Sequence, residues 1–172
     1  MNASWIRMPR ILLLGMGDAA HGDDGIGLQL TRAIGEVIDE VEAKEAPSNE
    51  MDVLELIRDF DLVFVIDSVC VPGEPGRVLR VSPMSLLSLK VHPGPQEEAF
   101  DHALEAARIY GRALPVIEVI GVCVADAEAS SLELSAEMKA MYKSVLARVR
   151  AIIVSMVRDA RFPRTPTEAA GG

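Results

Sequence analysis

Residues 10–27 read RILLLGMGDAAHGDDGIG, and this stretch decides the fold. An apolar run ends at a Gly-Met-Gly turn, and a pattern with helical spacing begins near residue 24. This order predicts a strand, a glycine-rich loop and a helix, with the loop at the carboxyl end of the strand, where open α/β sheets bind ligands. Phosphate-binding loops offer bare N–H groups and a cation. This loop instead carries Asp18, Asp23 and Asp24, so we expect it to attract a metal ion or a cationic group.

Composition restricts the class of protein. The chain has 172 residues, of which 49% are hydrophobic and 25% charged, as in a single globular domain. A formal net charge of −9 argues against nucleic acids and anionic membranes as partners. The N-terminus lacks the apolar core of a signal peptide, so we expect a cytoplasmic protein, with a monomer as the default. Cys70 and Cys123 lie in apolar surroundings and are interpreted as reduced core thiols.

Apolar spacing along the rest of the chain predicts an α/β domain. The predicted strands are 10–15, 40–46, 62–66, 77–81 and 116–124, and the predicted helices are 24–34, 50–59, 97–110 and 133–157. Strand 40–46 is half polar, which suits a sheet edge, whereas 62–66 is continuously apolar, which suits a central strand. The connection to 77–81 is too short for a parallel crossover and predicts an antiparallel hairpin with 62–66.

The predicted fold class is therefore α/β, a three-layer α/β/α sandwich with a mixed, twisted sheet of about five strands, one of them antiparallel. Residues 1–9 are interpreted as a lead-in, 10–158 as one domain and 159–172 as a disordered tail.

The predicted topology brings three potential metal ligands to the same edge of the sheet and so defines a candidate site. Asp24 lies in the acidic loop, Asp67 ends the predicted strand 62–66, and His92 lies in the long connection 82–96. Two carboxylates and an imidazole form a hard-to-borderline ligand set that suits a loosely held divalent transition metal. His21 is a further candidate, whereas His102 is interpreted as a surface residue of a helix.

Structural roles compete with this interpretation. The likelier role of Asp23 is to cap the first helix and oppose its dipole. Asp67 could accept hydrogen bonds from loop amides, and His92 could be solvated. No GxSxG or HExxH motif and no paired Cys and His supplies a nucleophile. The residues alone therefore predict an acidic, metal-competent site on an α/β domain.

Three stretches resemble one known family. GMGDAAHGDDGIG at 15–27 resembles the amino-terminal signature of the hydrogenase maturation proteases, in which a G-x-G-N loop precedes D-[DE]-G-x-G. VFVIDSVCVPGEPGRVLRV at 63–81 resembles their second signature, a strand ending V-D-A-V, a G-x-x-P-G turn and a short strand. IYGRA at 109–113 is similar to their LYGRAP stretch. The resemblance covers residues 10–157, and the first two stretches are specific only together.

The resemblance implies an α/β/α fold and an aspartyl-type endopeptidase. Such an enzyme trims the C-terminal extension from the precursor of a [NiFe] hydrogenase large subunit after nickel has been inserted. It also implies that Asp24, Asp67 and His92 are the catalytic and metal-contacting residues. The nickel belongs to the substrate and serves as the recognition signal, so we expect no tightly bound cofactor of the protein's own.

The chain departs from the family pattern at three places. Asp18 replaces the loop asparagine, and residues 46–49 replace a segment rich in glycine and threonine. His92 lies farther from the following helix than the pattern suggests, so His102 stays open as the third ligand. Two other functions also stay open: a non-catalytic, metal-sensing or chaperone-like binder of the large subunit, and a metallohydrolase that acts with its own ion.

Overall fold

A computed structural model describes residues 7–71, 74–90 and 92–162. In these residues, five strands alternate with four α-helices, and the helices follow the first, second, fourth and fifth strands. The strands are β1 (Ile11–Gly15), β2 (Glu42–Glu45), β3 (Leu62–Val69), β4 (Val78–Val81) and β5 (Val116–Cys123). The helices are α1 (Ile26–Gly35), α2 (Glu50–Ile57), α3 (Pro95–Ile109) and α4 (Ala136–Arg161).

The strands form one mixed sheet in the order β2-β1-β3-β5-β4. β2, β1, β3 and β5 run parallel, and β4 pairs antiparallel with β5. β2 lies at the sheet edge with all four residues exposed, as its polar sequence predicts. The predicted mixed, five-stranded α/β architecture is confirmed.

Two apolar cores cover the two faces of the sheet. Because side chains alternate along a strand, Leu62, Phe64 and Ile66 of β3 pack on one face with α1 and α4. Val63 and Val65 pack on the other face with α2 and α3. All eight residues of β3 are buried, which is the pattern expected of a central parallel strand.

The structure corrects two expectations about the strands. The hairpin prediction is wrong because β4 pairs with β5 rather than with β3, whose two edges are already taken by β1 and β5. β3 also does not end at Asp67: it continues to Val69, because β5 pairs with it up to Cys123. Asp67 is therefore a residue within a strand, which fixes its side chain more firmly than a loop would.

The remaining boundaries agree to within a few residues. Asn49 caps α2 by accepting hydrogen bonds from Met51 N and Asp52 N. α4 reaches Arg161, three residues past the predicted end of the domain. The outer parts of the lead-in and the tail, 1–6 and 163–172, lie outside the described residues. None of the described helices is both long and apolar enough to cross a bilayer.

Gly27 allows α1 to lie close to the sheet. A Cβ atom at this position would come within 2.4 Å of two backbone oxygens, those of Met16 and Ile66. Backbone atoms of β3 and of the segment after β1 cannot move away as a flexible side chain can. The glycine therefore sets how closely the acidic loop and α1 approach the end of β3.

We predict that Gly27→Ala destabilises the protein by about 3 kcal/mol, because the methyl group overpacks a rigid contact. Alanine normally stabilises a helix interior by about 1 kcal/mol relative to glycine, so the expected effect has the opposite sign. Urea denaturation measures the change. Gln29→Ala in the same helix is the control and is expected to stay within about 0.5 kcal/mol. A Gly27→Ala variant as stable as the wild type would contradict the contact.

Candidate functional site

The candidate site lies between β1 and β3, where the chain leaves the two neighbouring strands in opposite directions. From β1 the chain passes to β2 on one side, and from β3 it passes to the opposite side of the sheet. Connections that leave two adjacent parallel strands in opposite directions open a crevice at the carboxyl ends of those strands. The acidic loop follows β1 and Asp67 lies near the end of β3, so both face this crevice.

The backbone of the acidic loop places Asp24 at the site. Gly17 has φ +115°, and a Cβ atom there would lie 2.0 Å from the Asp24 carbonyl oxygen, so the turn requires glycine. Asp18 N donates a hydrogen bond of 2.8 Å to Asp24 Oδ2. Gly17 N donates one of 3.1 Å to Gln96 Oε1 of α3, which ties the loop to the opposite wall.

The Lys90 ammonium lies between the two predicted aspartates. Its Nζ donates hydrogen bonds to Asp24 Oδ1 at 2.8 Å, to Asp67 Oδ1 at 3.0 Å and to Ser68 Oγ at 2.9 Å. Ser68 Oγ in turn donates to Asp24 Oδ1 at 2.5 Å. The exposed fraction of the side chain is 3% for Lys90, 14% for Asp24 and 0% for Asp67. The site therefore contains a buried cation supplied by the chain itself.

A third carboxylate reaches the same ammonium. Glu97 Oε1 lies 3.3 Å from Lys90 Nζ, although the geometry is not that of a hydrogen bond. Its other oxygen accepts a bond of 2.8 Å from Gly94 N. An ammonium has three donors, and Asp24, Asp67 and Ser68 use them. Glu97 Oε1 and Asp67 Oδ2 therefore remain buried without a hydrogen-bond partner.

Burial and charge act in opposite directions on this cluster. Burial raises the pKa of Asp67 to about 7, and the nearby Glu97 and Asp24 add to the rise, while Lys90 opposes it. For Lys90, burial lowers the pKa, but the carboxylates of Asp67, Glu97 and Asp24 outweigh burial and raise it above its ordinary value. Lys90 thus stays charged at neutral pH, whereas the pKa of Asp67 lies well above that of an ordinary aspartate.

An open pocket of about 340 Å³ lies above the cluster. Asp24 and Lys90 line its floor, and His21 and His92 line its walls. His92 is 77% exposed, and its Nε2 lies 2.7 Å from Glu128. His21 Nδ1 lies 2.9 Å from Asp18 Oδ2. His102 is exposed on α3 and does not line this pocket.

The predicted site residues are thus brought together only in part. Asp24 and Asp67 meet at the same ammonium, and His92 lines the pocket above them without entering the cluster. Within residues 7–71, 74–90 and 92–162, no three His, Cys, Asp or Glu side chains form a group that could hold a metal ion. In this arrangement Lys90 takes the position between Asp24 and Asp67 that a metal ion would need.

Asp23 has a different role from the helix cap favoured by the sequence. Its carboxylate accepts bonds from Ser135 N at 2.7 Å and from Ser135 Oγ at 2.8 Å. Ser135 is the N-cap of α4. Asp23 therefore joins the acidic loop to the start of the last helix, a contact over 112 positions that local spacing does not reveal.

Three residues of the cluster escape sequence reasoning. Lys90 reads as a solvated lysine of a long loop, Ser68 as a strand residue and Glu97 as an acid in the first turn of a helix. The available signal for Lys90 is its position two residues before His92, in the connection expected to reach the acidic edge. The available signal for Glu97 is its position three residues before Phe100 and seven before Leu104, on the buried face of α3, whereas its neighbour Glu98 is exposed.

Both cysteines are free; Cys123 is buried in the core, as the sequence predicts, whereas Cys70 is half-buried and packs against the core from its edge.

Fold and site together define a three-layer α/β protein with a buried, charge-compensated carboxylate cluster beneath an open pocket. No family model matches the chain, and no curated protein sequence matches it significantly. Among solved structures, it is similar to the hydrogenase maturating endopeptidase HybD from E. coli, with 25% identity and a TM-score of 0.69 over 86% of this chain and 93% of the other.

A hydrogenase 2 maturation peptidase from a Thaumarchaeota archaeon is also 25% identical, with a TM-score of 0.57 over 84% of this chain and 98% of the other. A [NiFe] hydrogenase maturation protease HycI from Thermococcus kodakarensis, at 21% identity and a TM-score of 0.61 over 87% and 93%, shares the fold. Together with the two signature stretches, these likenesses confirm the resemblance to the hydrogenase maturation proteases and support a peptidase.

We predict that the ionisation of Asp67 lowers the free energy of unfolding as the pH rises. Its pKa is about 7 in the folded state and 3.8 in the reference state, so between these values the folded state holds a proton that the unfolded state has released. The contribution is most favourable below pH 3.8 and is lost as the pH rises to about 7.

Asp67→Asn removes this titration. Its free energy of unfolding, measured by urea denaturation from pH 4 to about 8, is therefore expected to fall less with pH than that of the wild type. Titrating groups outside the cluster are common to both proteins and cancel in the comparison. Parallel curves would show that Asp67 is ionised throughout.

Proposed function

We propose that the chain is an endopeptidase that removes the C-terminal extension of a [NiFe] hydrogenase large-subunit precursor, with the nickel already inserted into that precursor as the recognition signal. The observation that carries the proposal is the convergence of Asp24 and Asp67 beneath an open pocket, at the edge of the sheet where the two signature stretches meet. The family likeness supports the reaction class, and the open pocket leaves room for an extended peptide.

The proposed roles follow from the position of each residue. Asp24 is the most accessible carboxylate of the cluster and lines the pocket, so we assign to it the first contact with the precursor's nickel. His92 lines the same pocket and is free to turn toward a bound ion, because its charged partner among the described residues, Glu128, is itself exposed. Asp67 lies beneath Lys90 and becomes a ligand only when the ammonium leaves it. A metal-polarised carbonyl or a metal-activated water would then be the hydrolytic route.

A second function is favoured by one specific observation. Lys90 already neutralises the carboxylates that the peptidase would use. A non-catalytic binder that holds the large subunit without cutting it needs no free carboxylate, and the open pocket alone could serve it.

The decisive measurement is the mass of the precursor. The large-subunit precursor is expressed with and without nickel and incubated with a sub-stoichiometric amount of this protein. We expect a C-terminal peptide to be lost from the nickel-loaded precursor only, with many precursor molecules cut per chain. An intact precursor that co-purifies with the protein would instead establish the binder. Equal cleavage without nickel would keep the peptidase and reject nickel as the signal.

Asp24→Asn tests the assigned residue. We expect the rate of precursor processing to fall by about 100-fold or more, because the substrate loses its first contact and is misplaced over the pocket. Asp52→Asn, on the exposed surface of α2, is the matched control and should process at the wild-type rate. Far-UV circular dichroism checks that both variants are folded. Full processing by a folded Asp24→Asn protein would exclude Asp24 from the reaction.

A further inference from the structure

The buried cluster has the composition of a cation site in which the cation is part of the chain. Asp24, Asp67 and Glu97 each place a carboxylate oxygen within 3.3 Å of one point, and that point is Lys90 Nζ. The three acids come from the acidic loop, β3 and α3, and Lys90 comes from the connection before α3. Buried carboxylates without a compensating cation are costly, and here a single ammonium is shared among all three.

Two observations indicate that the carboxylates of the site can accept more hydrogen bonds and more positive charge than the ammonium supplies. Asp67 Oδ2 is fully buried and has no hydrogen-bond partner, and Glu97 Oε1 is within reach of Lys90 Nζ but receives no hydrogen bond. An ammonium carries one charge and three donors, whereas the cluster offers three carboxylates and a hydroxyl. Hard divalent ions bind six or more oxygens and carry twice the charge.

We propose that Lys90 is an internal cation that occupies the place of a divalent ion between Asp24 and Asp67. It closes this position to metal ions in the free protein, and its removal creates a divalent-cation site. The inference deepens the proposed function, because the precursor's nickel can reach both aspartates only by displacing Lys90. Its test uses the purified chain and metal ions alone, so it holds or fails independently of any peptidase activity.

The test compares Lys90→Met with the wild type by calorimetric titration with NiCl2 and by thermal unfolding with and without the ion. Methionine keeps the length of the side chain and removes the charge. We expect Lys90→Met to bind one Ni²⁺ per chain at least about tenfold more tightly than the wild type, which corresponds to about 1.4 kcal/mol. We also expect Ni²⁺ to raise its melting temperature more than that of the wild type.

Two controls isolate the cluster. Lys44→Met removes an exposed lysine of β2 and should bind Ni²⁺ as the wild type does. Lys90→Met combined with Asp67→Asn keeps the pocket histidines but should lose the new site. A folded Lys90→Met protein that binds Ni²⁺ no more tightly than the wild type would overturn the proposal. So would a wild-type protein that binds one ion through Asp67.

A measurement on the wild type keeps the proposal testable if Lys90→Met does not fold. The ¹⁵N signal of the Lys90 ammonium, assigned with Lys90→Arg, is followed during titration with ZnCl2. We expect the signal to stay unchanged at ion concentrations that shift the exposed histidines. Displacement of the ammonium signal by free Zn²⁺ would show that Lys90 does not close the site.

Discussion

The structure depends on the compensation of buried carboxylates at the end of a parallel sheet. Asp67 lies fully buried within β3, and Asp24 and Glu97 approach the same ammonium from two other elements. Without an ammonium, this arrangement would place like charges together in a medium that strengthens their repulsion. Removing one partner of a buried ion pair typically costs about 3–5 kcal/mol. Lys90 therefore ties the acidic loop, the central strand and α3 to one point.

Close backbone approaches make this convergence possible. Gly17 lets the loop turn back on the Asp24 carbonyl, and Gly27 lets α1 lie against the backbone of β3. Asp23 then holds the far side of the loop to the start of α4 through Ser135. In consequence, the two adjacent aspartates of the loop have different roles, one structural and one in the site. Asp23 is used in full by the scaffold, while Asp24 keeps one oxygen directed at the site.

The sequence predicts the scaffold well and the site in part, and the reason is physical. Periodicity reports which faces are buried, so the apolar strand 62–66 and the polar edge strand 40–46 are recognised without knowledge of their neighbours. The pairing of β4 depends on which edges of β3 are already occupied, and local spacing carries no such information. Asp24 and Asp67 were found because carboxylates after predicted strands share one sheet edge. Lys90 is missed because a buried charge in a loop has the same sequence pattern as an exposed one, and Glu97 because an acid in the first turn of a helix is ordinarily explained by the helix dipole.

Lys90 also changes the meaning of the resemblance to known proteases. Two carboxylates and a histidine suggest ligands that are free to bind an ion. In the structure, both carboxylates are instead bound to Lys90, and the histidine lies outside the cluster. Exchange of the ammonium for a divalent ion would preserve a cation between the carboxylates and add one positive charge. The energetic cost would then lie in moving one lysine side chain toward the open pocket above it rather than in creating uncompensated acids. A substrate that delivers its own ion can meet this cost, because ligands from the substrate stay on the ion and add to its binding. Free ions bring water ligands alone, so under the proposal the same cluster would refuse a dissolved metal and still accept one carried by a protein.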